Sequence, residues 1–162
     1  MQSNLSLYFH TIRHLRPAQI CGKIRYAMAS PRPDLRPAPP LRPVAGHWHK
    51  PVAKTASLLS SVRLRFLNEE HDAQSRADWN HPARSKLWLY NLHYFDDLNA
   101  DGYVSRRDWH QLLIERWVRE NDPGCGVGWE PYPISLRVVN WIKWALAGNA
   151  LSAAALHSLA VQ

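Results

Sequence analysis

Apolar residues recur every three or four positions through the second half of the chain, a spacing that predicts helices with a buried face. The segment LWLYNLHYFDDLNA, residues 87–100, is apolar around most of its circumference, so we expect a helix buried on several sides. A second helix is predicted over residues 108–121. It has an S-x-x-D start signal at Ser105, and the Asp-Pro-Gly sequence at 122–124 ends it.

Two more helices follow toward the C-terminus. ISLRVVNWIKWALAG, residues 134–148, has Pro133 suited to its first turn and Gly148 suited to its end. Ser152 can cap a last helix that runs to Gln162 without a stop signal. A chain that ends inside a helix is what a fragment of a longer protein would show.

The first third of the chain has a different character. Residues 5–16 and 18–28 read as two short amphipathic helices that meet near Pro17. They could lie on a membrane surface, but docking on the protein's own body is favoured. Residues 31–51 contain seven Pro, which predicts an extended, polyproline-like connector that links two modules or wraps one.

These patterns predict an all-α fold of antiparallel helical hairpins, with no alternation of strands and helices. Residues 57–71 could form a short helix or a pair of strands, and the alternation in VRLRFLN favours a strand. We therefore expect a basic N-terminal helical arm over 1–30, a Pro-rich connector over 31–51 and a helical domain over 52–162.

Composition adds two features to this picture. The chain has 8 Trp among 162 residues, which favours tryptophans filling a helical core, although flat aromatic faces also stack on sugars or bases. The net charge of +7 lies entirely in residues 1–50, which hold eight Lys and Arg against one acid, Asp34. Such a segment can meet nucleic acid, an anionic membrane or an acidic polymer, or can be a solvated arm without a partner.

The remaining composition argues against a metal centre or a cofactor. The two cysteines form no CxxC motif, and the nine His include just two closely spaced pairs, neither with a third ligand at fixed spacing. No Gly-rich phosphate motif is present, since GCGVG lacks the required Lys and Ser or Thr. We see neither a secretory signal nor a membrane span in this sequence, so localisation stays open with the bacterial cytoplasm as the default, and the family resemblance given below adds the periplasm.

The first candidate constellation lies on the predicted helix at 87–100. Asn91, His93, Tyr94 and Asp97 fall within seven positions of one another. His93 and Asp97 are four residues apart, so a hydrogen bond could make the His a general base. A purely structural pair is the favoured alternative.

The second constellation lies in GWEPYPISLRVVNW. Arg137 and Asn140 are expected on an exposed helix stripe, where they could hold a carboxylate or sulfate, with Glu130 in the preceding loop. Four aromatic residues could stack on sugar rings: Trp129, Tyr132, Trp141 and Trp144. The alternative is a salt bridge between Glu130 and Arg137, with the tryptophans in the core.

Three long motifs resemble the N-terminal part of heparinase II/III-like polysaccharide lyases, nearest to the subgroup linked with bacterial surface polysaccharides. They are YFHTIRHLRPAQICGKIRYAM, LWLYNLHYFDDL and GWEPYPISLRVVNWIKW, in that order along nearly the whole chain. The resemblance implies a partial α/α toroid that would be followed by further toroid helices and a β-sandwich. It implies β-elimination on an acidic, uronate-containing polysaccharide, with Asn, Tyr and His groups neutralising the carboxylate and moving the protons.

The resemblance also implies which residues do what. The catalytic residues are expected beyond Gln162, so the chain alone is expected to be inactive. The residues expected to line or support the glycan cleft are Asn91, His93, Tyr94, Trp129, Glu130, Tyr132, Arg137 and Asn140. The expected partners are the polysaccharide and the remaining toroid and sandwich parts.

Three other functions stay open at this point. A free-standing helical module could bind an acidic glycan without cleaving it. A nucleic-acid or membrane-surface binder is less favoured, because the basic residues lack interleaved aromatics. An inverting glycosidase would need Glu130 and Asp97 to face each other across a sugar, and the sequence gives no sign of that.

Overall fold

The computed structural model describes residues 10, 13–28, 32–43, 46–49 and 51–162. The chain divides into two units, Met1–Arg32 and Pro33–Gln162. The domain boundaries expected at residues 30 and 51 stay predictions. Residues 32–43 and 46–49 contain no helix or strand, in keeping with their proline content.

The first unit contains helix α1, Pro17–Met28. Pro17 begins this helix, where the missing N–H of proline costs nothing. The Arg16 backbone N–H donates to Gln19 Oε1, which satisfies one donor at the helix start. The helix expected at 5–16 falls largely outside the described residues.

In the second unit, a β-hairpin precedes the helices. Strand β1, Arg63–Phe66, pairs antiparallel with β2, Glu69–Asp72, and the strand interpretation of this segment is therefore confirmed. Leu67 and Asn68 both have positive φ, 55° and 63°, as a tight hairpin turn of the I′ type requires. Leu64 on β1 is buried and joins the hairpin to the core.

Helix α2 spans Lys86–Tyr94 and is capped by the Ser85 side chain, which accepts from the Trp88 N–H. The helix expected to reach residue 100 ends earlier, because Phe95 is left-handed at φ 60°. A separate 3-10 turn, Asp96–Asn99, follows. The left-handed backbone at Phe95 is stabilised by packing of its side chain, since the Phe95 ring lies edge-on to Trp117 and Trp141.

Helix α3 spans Arg107–Glu120 and follows a 3-10 turn, Tyr103–Arg106. The start signal expected at Ser105 is wrong: the Ser105 hydroxyl donates back to the Gly102 carbonyl instead of capping α3.

Helix α4 spans Pro131–Leu146, and Gly148 follows it at φ 87°. Helix α5 spans Ala153–Val161, with Ser152 accepting from the Ala155 N–H as predicted. Helix α2 packs on α4, and α3 packs on α5.

Tryptophan fills the core, as the composition favoured. Five tryptophans are fully buried: Trp79, Trp88, Trp117, Trp141 and Trp144. Trp117 lies near the centre, with ring centroids 5.7 Å from Trp141 and 5.7 Å from Trp129. The described residues are thus mostly helical, with one two-stranded sheet beside the helices. None of their helices is long and apolar enough to cross a membrane.

Candidate functional site

His93 lies in the core and does not face solvent. Its Nε2 atom lies 2.9 Å from the Trp79 carbonyl oxygen, and its Nδ1 atom lies 2.9 Å from Trp117 Nε1. Indole N–H can only donate, so Nδ1 accepts and Nε2 carries the proton. Burial, together with the nearby charge of Arg137, lowers the pKa of His93 to about 3, although the bond to Trp79 opposes this. His93 is a neutral structural group and is unsuited to act as a general base.

The expected pair between His93 and Asp97 is wrong. Helix α2 ends at Tyr94, so the spacing of four residues no longer places these side chains on one face. Asp97 instead accepts from His110 Nε2 at 2.6 Å and from Arg106 Nε at 2.8 Å. Its other oxygen accepts from the backbone N–H groups of Ser57 and Leu58 at 2.6 and 2.9 Å.

Arg137 is fully buried, so the expectation of an exposed stripe is wrong. Its Nη1 donates to the carbonyl oxygens of Gly128 at 2.8 Å and His93 at 3.3 Å, and its Nε donates to Gln162 Oε1 at 2.8 Å. The guanidinium carbon lies 3.8 Å from the centre of the Trp117 ring. Burial lowers the pKa of Arg137.

The expected salt bridge between Arg137 and Glu130 is also wrong. No carboxylate pairs with Arg137 in the described part of the chain, where its bonds go to carbonyl and amide oxygens. Arg137 therefore holds the end of α2 and the loop before α4 together, and Glu130 is left for other partners.

Asn140 has a similar structural task. Its Nδ2 donates to the Tyr94 carbonyl oxygen at 2.8 Å and to Asp96 Oδ1 at 2.7 Å. These bonds satisfy a helix-end carbonyl of α2 where the chain turns left-handed at Phe95. Asn140 is buried, and it fixes the backbone where α2 ends.

Three tyrosines form the surface where α2 meets the start of α4, and we call Tyr90, Tyr94 and Tyr132 the tyrosine cluster. The Tyr90 and Tyr132 ring centroids lie 6.1 Å apart with planes tilted by 35°, and Tyr94 lies 5.7 Å from Tyr132 in an edge-on arrangement. Tyr132 is 58% exposed, Tyr90 is half-buried and Tyr94 is buried. The cluster therefore offers an open aromatic face with a supported base.

Charged groups border the tyrosine cluster. Glu130 accepts a hydrogen bond from the Tyr90 hydroxyl and pairs with Lys86 Nζ at 2.9 Å. Lys86 Nζ also lies 5.3 Å from the centre of the Tyr90 ring. Burial would raise the pKa of Glu130, but the Tyr90 hydroxyl and the Lys86 ammonium outweigh it and lower that pKa.

The phenols of Tyr90 and Tyr94 stay protonated at neutral pH. The bond to Glu130 is the main cause that raises the pKa of Tyr90. Burial, with smaller effects of neighbouring Tyr132, Tyr90 and Asp96, raises the pKa of Tyr94 to about 12. The cluster is thus suited to stacking and hydrogen bonding, and less suited to taking up a proton.

The structure brings some predicted site residues together and separates others. Tyr94, Glu130 and Tyr132 share the surface at the tyrosine cluster, while His93, Arg137 and Asn140 lie beneath it in the core. Asn91 is half-buried and donates to the Leu87 carbonyl oxygen. Trp129 is half-buried and packs on Trp117.

Sequence reasoning missed Lys86 and Tyr90. Both could have been found from spacing, since Lys86, Tyr90 and Tyr94 follow one another at intervals of four and so share a helix face.

No group of three His, Cys, Asp or Glu that could hold a metal ion occurs among the described residues. No family model matches the chain, and neither does any curated protein or solved structure.

A substitution at Gly128 tests how tightly the buried layer supports this surface. A Cβ atom on Gly128 would lie 2.6 Å from Nδ1 and 2.7 Å from Cε1 of His93, whose ring is fixed by two hydrogen bonds. We expect Gly128→Ala to lower the free energy of unfolding by about 1–3 kcal/mol, as overpacking of a filled core does. Urea denaturation followed by tryptophan fluorescence measures it.

Gly22→Ala is the matched control. Gly22 lies in α1, and a Cβ atom added there would meet no other atom within 4 Å, so the methyl group should leave stability unchanged or raise it slightly. Equal stabilities of Gly128→Ala and the wild-type chain would show that the His93 ring can move aside.

Proposed function

We propose that this chain is the first helical part of a heparinase II/III-like lyase, and that it binds an acidic polysaccharide through the tyrosine cluster. The observation that carries the proposal is the open aromatic face of Tyr132 and Tyr90, bordered by the Lys86–Glu130 pair. The motifs LWLYNLHYFDDL and GWEPYPISLRVVNWIKW, on which the resemblance depends, contribute Tyr90, Glu130 and Tyr132, and Lys86 directly precedes the first motif.

The chemistry of this face suits a sugar. A pyranose ring presents C–H groups on its faces, which pack on aromatic rings, and hydroxyl groups at its edge, which need donors and acceptors. Tyr132 supplies an exposed ring, while Glu130 and Lys86 supply an acceptor and a donor beside it. The Lys86 ammonium, which pairs with Glu130 at 2.9 Å, can pair with a uronate carboxylate or a sulfate in its place.

The surface is held rigid from below, which supports a binding role. Arg137 ties the Gly128 carbonyl to the end of α2, and Asn140 ties the Tyr94 carbonyl to α4. Rigid positioning of aromatic rings lowers the entropy cost of binding.

We propose further that helices α2 to α5, in which α2 packs on α4 and α3 packs on α5, form part of an α/α toroid, and that this chain alone does not carry out β-elimination. The buried His93 and the fully bonded Asp97 cannot reach a substrate. The raised pKa values of Tyr90 and Tyr94 oppose proton abstraction by these phenols. The resemblance assigns proton transfer to segments that would follow Gln162.

Replacing Tyr132 with alanine tests the binding surface. We expect Tyr132→Ala to weaken binding of heparan sulfate, alginate or hyaluronan oligosaccharides about five- to tenfold, since one aromatic contact contributes about 1 kcal/mol. Isothermal titration calorimetry of the full chain gives the affinity. Val104→Ala is the control, because Val104 is equally exposed at 58% and is not part of the cluster.

Three outcomes would contradict the proposal. If the wild-type chain binds none of the acidic oligosaccharides, or if Tyr132→Ala and Val104→Ala bind equally well, the tyrosine cluster is not the glycan surface. A rise in the ultraviolet absorbance of unsaturated uronate during incubation would contradict the second part, that this chain is inactive alone.

A further inference from the structure

A surface pocket of about 150 Å³ lies beyond the C-terminal end of α4, whereas the tyrosine cluster lies at its N-terminal end. It is lined by Trp48, Pro51, Asn99, Tyr103 and Ala147. None of the five carries a charge. Among the described residues, the pocket lining therefore combines two aromatic rings with an amide.

The pocket walls are fixed by neighbours in the core. The Tyr103 ring lies edge-on to buried Trp144, with centroids 6.1 Å apart. Asn99 Nδ2 donates to Asn140 at 3.2 Å from Oδ1 and 3.3 Å from the carbonyl oxygen. Trp48 is 39% exposed, more than any other tryptophan of the chain, so one ring of the pocket is open to a ligand.

A continuous line of residues connects the pocket with the tyrosine cluster. Asn140 bonds to Asn99 on one side and to the Tyr94 carbonyl on the other. Asp96 lies between them, accepting from Asn140 and pairing with Lys54 at 2.7 Å. From residue 132 to residue 147 the helix rises about 22 Å, a distance that an oligosaccharide can span.

We propose that this pocket is a second sugar subsite, and that it takes an uncharged unit of the polysaccharide, a hexose or an N-acetylhexosamine. The proposal rests on the proposed function, since the pocket would hold a further unit of the chain bound at the tyrosine cluster. A uronate is disfavoured because none of the five described lining residues is a cation that could pair with its carboxylate, and burying an unpaired carboxylate is costly. An uncharged ring can stack on Trp48 and bond to the Asn99 amide.

Acrylamide quenching of tryptophan fluorescence tests the assignment in the full chain, because Trp48 is the most exposed tryptophan. We expect chitotriose, which is uncharged, to lower the quenching constant of the exposed component at least twofold. Trigalacturonate, which is fully anionic, should protect much less. Equal protection by adenosine would mean a general aromatic site and would overturn the sugar assignment, as would no protection by chitotriose.

Variants on opposite walls keep the test independent of any one substitution. Ala147→Leu fills the pocket but keeps Trp48 as the reporter, and it should abolish the protection. Trp48→Ala should weaken chitotriose binding about tenfold in calorimetry, while Trp48→Tyr should retain most of it. Unchanged binding in both Ala147→Leu and Trp48→Ala would overturn the proposal.

The two proposals fail in different ways. Tyr132→Ala should leave the protection of Trp48 by chitotriose unchanged, because the cluster lies at the other end of α4. If acidic oligosaccharides bind but chitotriose does not protect Trp48, the pocket assignment fails and the proposed function stands. If chitotriose protects Trp48 but no acidic oligosaccharide binds, the proposed function fails while the pocket still binds an uncharged sugar.

Discussion

Replacing Asp97 with asparagine is expected to lower the free energy of unfolding by about 3–5 kcal/mol, the range for breaking a buried charge network. Asp97 is 5% exposed, and its two oxygens accept from His110, Arg106 and two backbone N–H groups. Asparagine offers one oxygen in place of two and adds an NH₂ group that faces donors. Chemical denaturation at neutral pH measures the loss.

Asp96→Asn is the matched control, because it makes the same chemical change at the next position. Asp96 is half-buried and pairs with Lys54, whose side chain is 49% exposed, so water screens the pair. We expect a loss of about 1 kcal/mol or less. If the two variants lose equal stability, the hydrogen bonds from Asp97 to residues 57–58 and to His110 of α3 contribute no more than an exposed ion pair does.

The lowered pKa of Asp97 also leads us to expect that the chain loses stability in acid. Burial alone would raise the pKa of Asp97, but hydrogen bonds from His110, Leu58, Arg106 and Ser57 outweigh it and lower that pKa to about 2. A carboxyl with a depressed pKa stabilises the fold above its unfolded pKa of 3.8 and loses that contribution as the pH falls toward 2. The contribution is about 2–3 kcal/mol, and it should be missing in Asp97→Asn.

The helices were predictable because their signals are local. The apolar stripe of α3, the cap at Ser152 and Gly148 after α4 all act within a few residues, as did the alternation that favoured the β1–β2 hairpin. The end of α2 was missed because the left-handed Phe95 depends on packing against Trp117 and Trp141, which are distant in sequence.

The candidate site was harder to predict because polar residues change role when they are buried. Arg137 and His93 were expected at a cleft, but both have their partners in the core. Each bonds to backbone carbonyl oxygens. The Trp117 indole also donates to His93 and stacks against the Arg137 guanidinium. A helical spacing cannot tell an exposed arginine from one that stacks on a buried tryptophan. Glu130 was expected in the loop before α4, and it lies at the N-cap of that helix, next to the prolines that mark the helix start, a local signal again.

The stability of the chain is expected to fall by about 2 kcal/mol between pH 7 and pH 5 because of His93. The unfolded chain takes up a proton near pH 6.5, whereas the folded chain keeps His93 neutral down to about pH 3. A histidine with a depressed pKa stabilises the fold fully above pH 6.5, and the loss below that value is about 1.4 kcal/mol per pH unit. Denaturant titrations at half-unit intervals from pH 7 to pH 5 measure this slope.

His93→Gln separates this effect from other titrating groups. Glutamine can accept from Trp117 and donate to Trp79, but it does not titrate, so the variant should be less stable at pH 7 and have a flatter pH profile. The interval above pH 5 avoids the carboxyl groups, since Asp97, Glu120 and Glu130 all have lowered pKa values in the folded chain. An equal slope in His93→Gln and the wild-type chain would show that the proton is taken up elsewhere, and that the neutral His93 between Trp79 and Trp117 does not control acid stability.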